Sequence, residues 1–291
     1  VEGLALVLYR FEVDSDEIPT TPWEGFALDG LSSSLTLPSP PASDLSEIED
    51  LPGTLLGIYQ PMLVQDEDGD QSHSEGEAFV GISPTLLIYL DGELDPALVL
   101  MGLGLGWWSM DALTGDIGPA ELDLSLNLMD RGLDLVGGEL EGDPAPDARV
   151  AMFSAIDELG EVDPVLDQAL SSPWTIDLSA GPPEAHQYSG PDLLGAVLAM
   201  ETVVAYQDLD RSGGPSDGDG ILGTLCREGS AVSLMWGQAP DTFSAAWFMG
   251  VFGTRAGWQL VAVDPLTEGT TWLSDDEAMA LQFGMDCWVE E

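Results

Sequence analysis

Apolar residues in this chain come in short runs closed by Gly, Pro, Asp or Ser. The runs at 4–9, 35–37, 86–90, 122–128, 150–153, 232–236 and 260–263 each predict a strand. Leu122, Leu124, Leu126 and Leu128 alternate with Asp, Ser and Asn, the period-two pattern of a strand with one wet face. Helical periodicity is scarce, and 20 Pro and 34 Gly leave little room for it. Two exceptions are expected. Ser274-Asp275-Asp276-Glu277 reads as a capping box that starts a short C-terminal helix, carried by Ala278–Leu281 and ended at Gly284. Asp163-Pro164, an N-cap followed by Pro, predicts a second short helix. Regular short strands between turn signals predict an all-β chain of immunoglobulin-like or transthyretin-like β-sandwiches.

The pattern repeats. Residues 65–81 lie over 207–223 without a gap at an offset of 142, and Asp50, Leu51 and Gly53 fall on Asp192, Leu193 and Gly195. The apolar run at 5–9 resembles 149–153, and Asp111-Ala-Leu113-Thr114 resembles Asp264-Pro-Leu266-Thr267. A period this long means tandem domains rather than a solenoid. The expected copies are 1–144 and 145–291, with the break in the polar Gly- and Pro-rich stretch 137–146.

The best-matched stretch carries the candidate chemistry. With Asp66 as position 1, Asp68, Asp70, Glu75 and Glu77 occupy positions 3, 5, 10 and 12; the second copy places Asp208, Asp210, Ser212, Asp217 and Asp219 at 1, 3, 5, 10 and 12. Oxygen side chains at this spacing let one loop wrap a hard cation, and Ca²⁺ is the expected ion. Gly, expected at position 6, is Gln71 in the first loop and Gly213 in the second. Strong helices do not flank the loops, so each is expected on a β scaffold. Ser at position 5 and the shorter Asp at 12 predict weaker binding in the second loop. No cluster of nitrogen or sulfur ligands suits zinc.

Charge narrows the partners. Fifty-three acidic residues face six Arg and no Lys, a formal net charge of -47, although 44% of the residues are hydrophobic. That apolar content separates the chain from a disordered acidic tail. Nucleic-acid binding and adsorption on anionic lipid are not expected without a basic patch. The longest nearly apolar run, 98–108, is too short to span a bilayer, so no direct membrane insertion is expected. The lack of an initiator Met and of a signal-like start reads as a processed or trimmed chain.

Both cysteines, Cys226 and Cys287, fall in the second copy, which predicts one disulfide in an oxidising compartment. His73 and His186 read as ordinary surface histidines, and the tryptophans as packing residues rather than sugar platforms. No Gly-x-Ser-x-Gly elbow and no phosphate loop occurs, Lys-based chemistry is impossible, and among so many acids a catalytic carboxylate pair has no distinguishing mark.

An aliphatic strand leading into an Asp-rich loop and a short strand ending in Gly, at 63–81 and again at 205–223, resembles uncharacterised secreted proteins and lipoproteins of myxobacteria. The resemblance implies export, a surface or extracellular position and calcium binding. A lipid-bearing N-terminal Cys is not in this chain. The expected function is that of a non-enzymatic exported structural, adhesive or surface-assembly protein. Its partner would be itself, as a homo-oligomer or filament. The alternatives are a halophilic exported protein with incidental acidic loops and a carbohydrate-binding or glycan-cleaving module.

Overall fold

The computed structural model describes residues 3–11, 22–28, 35–48, 51–74, 76–112, 114–122, 127–128, 132–140, 144–155, 163–216, 218–263 and 270–284. Within them the chain is all-β with few helices. It divides into two compact units: Val1–Met129 with Ala239–Thr254, and Asp130–Gln238 with Arg255–Glu291.

The first unit is built on one antiparallel sheet. Its strands are β1 (Leu4–Phe11), β2 (Pro22–Ala27), β3 (Ser46–Glu47), β4 (Thr54–Gln65), β5 (Phe79–Ile82), β6 (Thr85–Gly92), β7 (Gly106–Asp111) and β8 (Ile117–Pro119). The order is β2-β1-β4-β6-β7-β8, with β3 and β5 also on β4. Helix α1 (Pro96–Leu100) links β6 to β7. The second unit holds β9 (Leu135–Gly138), β10 (Ala148–Ser154), β11 (Leu166–Ala169), β12 (Trp174–Asp177), β13 (Tyr188–Ser189), β14 (Val197–Gln207), β15 (Gly220–Arg227), β16 (Ser230–Gly237), β17 (Gly257–Val263), β18 (Thr270–Trp272) and β19 (Gln282–Gly284). Its large sheet runs β11-β10-β14-β15-β16-β17-β18, and β9 pairs with β12 in a second, two-stranded layer. Helix α2 (Phe243–Val251) links β16 to β17, and α3 (Asp275–Ala278) precedes β19.

The duplication seen in the sequence is a duplication of topology. The central pairs β1–β4 and β10–β14 correspond, as do the flanking strands β2 and β11, and β7 and β17. Even an irregularity is shared. The β4–β5 register slips between Leu63 and Val64, and the β14–β15 register slips between Ala205 and Tyr206, the same place in each copy. A bulge of this kind bends the strand and turns the residues beyond it in a new direction. Here it aims the chain into the acidic loop.

Packing explains the strands. Leu4, Leu6 and Leu8 turn one face of β1 into a core with Tyr59, Leu63, Val80 and Leu87, and the alternate residues Ala5, Val7 and Tyr9 are buried too. A strand buried on both faces reads as a continuous apolar run, as 4–9 does. In the second unit Val150 and Met152 meet Val203, Leu234 and Leu260, and Val136, Trp174 and Ile176 of the small layer close over them, giving a sandwich-like core. Trp23, Tyr59, Tyr89 and Trp107 pack in tilted and edge-on pairs with ring centroids 4.7–6.0 Å apart.

Several expectations change. The stretch 137–146 is not an interdomain break at its start, because Gly137 and Gly138 lie in β9 and pair with Thr175 and Trp174. The segment Ala239–Thr254, from the second sequence repeat, belongs to the first unit. There the Phe243 ring lies 4.4 Å from Tyr9, Phe79 N–H donates to Pro240 O at 3.1 Å, and Gly250 sits against Ile82 so tightly that a Cβ would clash. Asp163-Pro164 starts no helix. The chain goes on to β11, where Arg149 of β10 grips Asp167 at 2.8 Å and Tyr206 OH donates to its other oxygen at 2.9 Å. The C-terminal helix forms with its capping box, but it lasts one turn, and β19 takes over before Gly284. The run 35–37 is assigned no strand, and residues 123–126 lie outside the described residues.

His186 is no surface residue. It is 4% exposed, with Nδ1 3.1 Å from a Glu201 oxygen and Nε2 2.9 Å from Asp163 O. His73 is half-buried, stacked on Phe79 at 4.1 Å with Nε2 3.0 Å from Glu77 O.

Candidate metal centres

Each acidic loop leaves the bulged end of a long strand and returns on a shorter one: β4 to β5, and β14 to β15. The entry is pinned identically. Asp66 N–H donates to Gly3 O at 2.8 Å, and Asp208 N–H to Asp147 O at 3.1 Å. Both acceptor residues are left-handed, with φ of 76° and 62°.

The position-1 carboxylate then organises the turn from inside. Asp66, 7% exposed, accepts from Gly69 N at 2.7 Å and Gln71 N at 3.1 Å. Asp208, 6% exposed, accepts from Ser212 N and Gly213 N, each at 3.0 Å. Positions 3 and 5 cap the next amides: Asp68 takes Asp70 N at 3.0 Å, Asp70 takes Ser72 N at 2.7 Å, and Asp210 takes Ser212 N at 2.8 Å. Position 12 closes the loop. Glu77 spans Glu67 N and Ser74 N at 2.7 and 2.8 Å, while Asp219 spans Leu209 N and Ser216 N at 2.8 Å each. Asp219 and Glu77 thus do the same work with side chains of different length.

Two positions, numbers 4 and 6, are left-handed in both loops, beside Gly76 (φ 97°) in the first loop alone. They are Gly69 (φ 78°) and Gln71 (φ 64°) in the first loop, and Arg211 (φ 60°) and Gly213 (φ 81°) in the second. Only glycine adopts this conformation without strain. Each loop therefore places its single fitting glycine at a different one of the two positions. The sequence signal for position 6 is visible in one loop, and the backbone keeps it in both.

The carboxylates of Asp66, Asp68 and Asp70 bring one oxygen each within 4.8 Å of one another, and so do those of Asp208, Asp210 and Asp219. Ligands on opposite sides of a Ca²⁺ ion at about 2.3–2.6 Å lie at most about 5 Å apart, so both groups fit one such ion. The donor set is all oxygen, which suits a hard cation and not a soft one. The two sites differ in composition. In the first, Glu77 stays outside the group; in the second, Asp219 joins it, and Ser212 turns its hydroxyl to Gly214 O at 2.7 Å. Glu75 and Asp217, the position-10 residues, lie outside the described residues.

Electrostatics separate the loops further. Hydrogen bonds from Ser212, and then from Ser216, hold the Asp210 carboxyl below the usual aspartate range. The second loop also carries a cation of its own, Arg211, 3.3 Å from Asp147. The first loop instead packs on β2, where Gly25 touches Gln71 O so closely that no side chain would fit.

No known protein family, curated protein or solved structure matches this chain. The reading of the loops therefore rests on their own geometry. Cys226 is buried in β15, and its expected partner Cys287 lies outside the described residues. No helix among the described residues is long and apolar enough to cross a membrane.

Proposed function

We propose that this is a non-enzymatic, exported structural or surface-assembly protein in which each sequence repeat is locked by one Ca²⁺ ion. The observation that carries the reading is the paired arrangement: a buried position-1 aspartate at the same bulged strand end in both copies, each grouped with two further carboxylates. Such a loop costs stability when empty, because like charges crowd together, and it becomes a rigid strand connection when filled. The net charge of -47 supports a role for cations in bringing molecules together, since self-repulsion otherwise keeps them apart. Self-association, as an oligomer or filament, is the proposed partnership. Export is supported by the pair Cys226 and Cys287, proposed to form a disulfide.

The test is calorimetric titration of chelator-treated protein with Ca²⁺ at low ionic strength, together with intact mass before and after alkylation without reductant. The expected result is two binding events, the tighter lost in Asp66→Ala and the weaker in Asp208→Ala, with no alkylatable thiol in the denatured protein. Absence of Ca²⁺ binding up to millimolar concentration overturns the cation reading. Two alkylatable thiols overturn the disulfide.

A further inference from the structure

Asp163-Pro164 starts no helix, but the peptide bond between the two residues has a reactive neighbour. Asp163 O, the carbonyl oxygen of that bond, lies 2.9 Å from His186 Nε2. A carbonyl oxygen only accepts, so Nε2 carries a hydrogen and donates it. The other ring nitrogen, Nδ1, lies 3.1 Å from an oxygen of Glu201 on β14. His186 is 4% exposed and Glu201 0%, whereas Asp163 is exposed. An imidazole and a carboxylate are thus buried together, which is costly, and the Nε2 hydrogen of the pair is turned to the Asp163 carbonyl.

The duplication supplies an internal control. At the offset of 142, Asp163, His186 and Glu201 stand over Thr21, Asp44 and Tyr59, and Pro164 over Pro22. The register agrees, since Val7 pairs with Gly25 and Met62, and Ala151 with Asp167 and Val204. In the first unit Trp23 Nε1 donates to Asp44 at 3.0 Å and Arg10 pairs with it at 3.2 Å, an arrangement with no donor for a peptide carbonyl. Only the proline is kept; three residues far apart in sequence differ together. The chain has three other Asp–Pro bonds, at 95–96, 143–144 and 264–265. Asp95 caps α1, its carboxylate accepting from Ala97 N at 2.7 Å and its carbonyl from Val99 N at 3.3 Å. Asp143 and Asp264 lie outside the described residues.

We propose that the chain cleaves itself between Asp163 and Pro164, with His186 stabilising the charge that forms on the Asp163 carbonyl oxygen. An oxygen of the protonated Asp163 carboxyl group bonds to the residue's own main-chain carbonyl carbon, a ring closure within one side chain that needs no second reactant. The carbonyl oxygen takes the negative charge, and the hydrogen bond from Nε2, backed by Glu201 on Nδ1, strengthens as it does so. The electron pair then returns from that oxygen and the bond to the Pro164 nitrogen breaks. The carboxyl proton passes to that nitrogen, which leaves as a secondary amine. A five-membered cyclic anhydride remains at Asp163, and one water opens it to two carboxylic acids; Asp163 is exposed to that water. The sheet holds both pieces, because β10 before the cut pairs with β11 and β14 after it. The event happens once per molecule, so it adds a processing step to a non-enzymatic protein and needs neither Ca²⁺ nor assembly.

The test is a time course of intact mass, read after denaturation, on the full folded chain in mildly acidic buffer. Fragments 1–163 and 164–291 are expected to appear at a first-order rate that does not depend on protein concentration. That rate should exceed cleavage at each of the other three Asp–Pro bonds by about 10²-fold, the worth of one donor to an oxyanion. In urea the four bonds are expected to break alike. Asp163→Ala removes the attacking carboxyl group and should abolish the cut. His186→Gln, with its fold checked by circular dichroism, should slow it to the rate of the other Asp–Pro bonds. If His186→Gln does not fold, Asp163→Ala, at an exposed position, and the comparison of folded with unfolded wild type decide alone. Folded wild type that is cut no faster at 163–164 than elsewhere, or a folded His186→Gln that is cut as fast as wild type, overturns the proposal. So does an undiminished cut in Asp163→Ala, which would belong to an outside protease.

Discussion

Removing a negative charge from the first loop should stabilise the protein without calcium and destabilise it, relative to wild type, with calcium. Asp68→Asn is the cleanest perturbation. The amide oxygen can still accept from Asp70 N, as the carboxylate does at 3.0 Å, so the turn survives. The change removes repulsion. Asp66, Asp68 and Asp70 place carboxylate oxygens within 4.8 Å of one another, and at that separation in water one pair costs about 0.9 kcal/mol. Asp68 takes part in two of the three pairs, so its neutralisation relieves about 1.7 kcal/mol, of which most remains at 0.01 M salt, where the Debye length is about 30 Å. Relief of roughly 1.5 kcal/mol corresponds to a rise of about 3–6 °C in the melting temperature of a unit this size. Calcium reverses the order, because wild type gains about 2.7 kcal/mol at a hundredfold excess over Kd and the variant has lost a charged ligand. Differential scanning calorimetry in chelator and in millimolar Ca²⁺ reads both arms. Glu121→Gln, exposed and far along the chain from the loops, controls for the general benefit of one less charge. If Asp68→Asn melts no higher than Glu121→Gln in chelator, or if Ca²⁺ raises wild type and variant equally, the carboxylates do not form one cation site.

Gln71→Gly and Arg211→Gly should each stabilise the protein by about 0.5–1 kcal/mol in urea titrations, since both residues are held at a left-handed φ, while Gly69→Ala and Gly213→Ala should cost about as much. Gly25→Ala should push the first loop off β2 and weaken calorimetric Ca²⁺ binding at that loop while leaving the second unchanged. His186→Ala should cost about 3 kcal/mol or more by urea denaturation, because it strips the imidazole from a Glu201 that is 0% exposed; a loss under about 1 kcal/mol refutes a structural pairing. Burial raises the phenols of Tyr9, Tyr59 and Tyr206 well above the ordinary tyrosine range. A raised acid is neutral in the folded state, so this stability is complete below about pH 10 and is lost as the pH climbs beyond it. Phenolate absorbance from these residues should therefore appear together with the loss of far-ultraviolet structure, and not before.

The strands and loops were legible because local pattern decides them. The apolar run 4–9 and the acidic spacing from Asp66 to Glu77 carry their own instructions, and duplication doubled each signal. The features that escaped depend on distant residues. Asp163-Pro164 has the local look of a helix start, yet Asp167 is drawn into a strand by Arg149 and Tyr206. His186 gives no hint of burial in its own neighbourhood; its partner Glu201 stands 15 residues away on β14. The left-handed turn at Gln71 is invisible because glutamine does not announce that conformation. The placement of residues 239–254 in the first unit has no periodic signature, since a helix that is apolar all round does not say which sheet it will cover.

The pinning of each loop at its entry has a mechanical consequence. Tension applied through the residues before β1 reaches the sheet first at Gly3, whose carbonyl holds Asp66 N–H, whereas tension passed along the chain into the second unit meets Leu133 and β9 before it reaches Asp147, which holds Asp208 N–H. In the first unit, then, the first bond to bear load is the backbone bond of the position-1 aspartate. A cation gripped by that same residue would have to be torn loose before the strand could peel. The force at which the first unit yields would then track the surrounding calcium concentration, so that its loop could act as a cation-set fuse at the entry to the sheet.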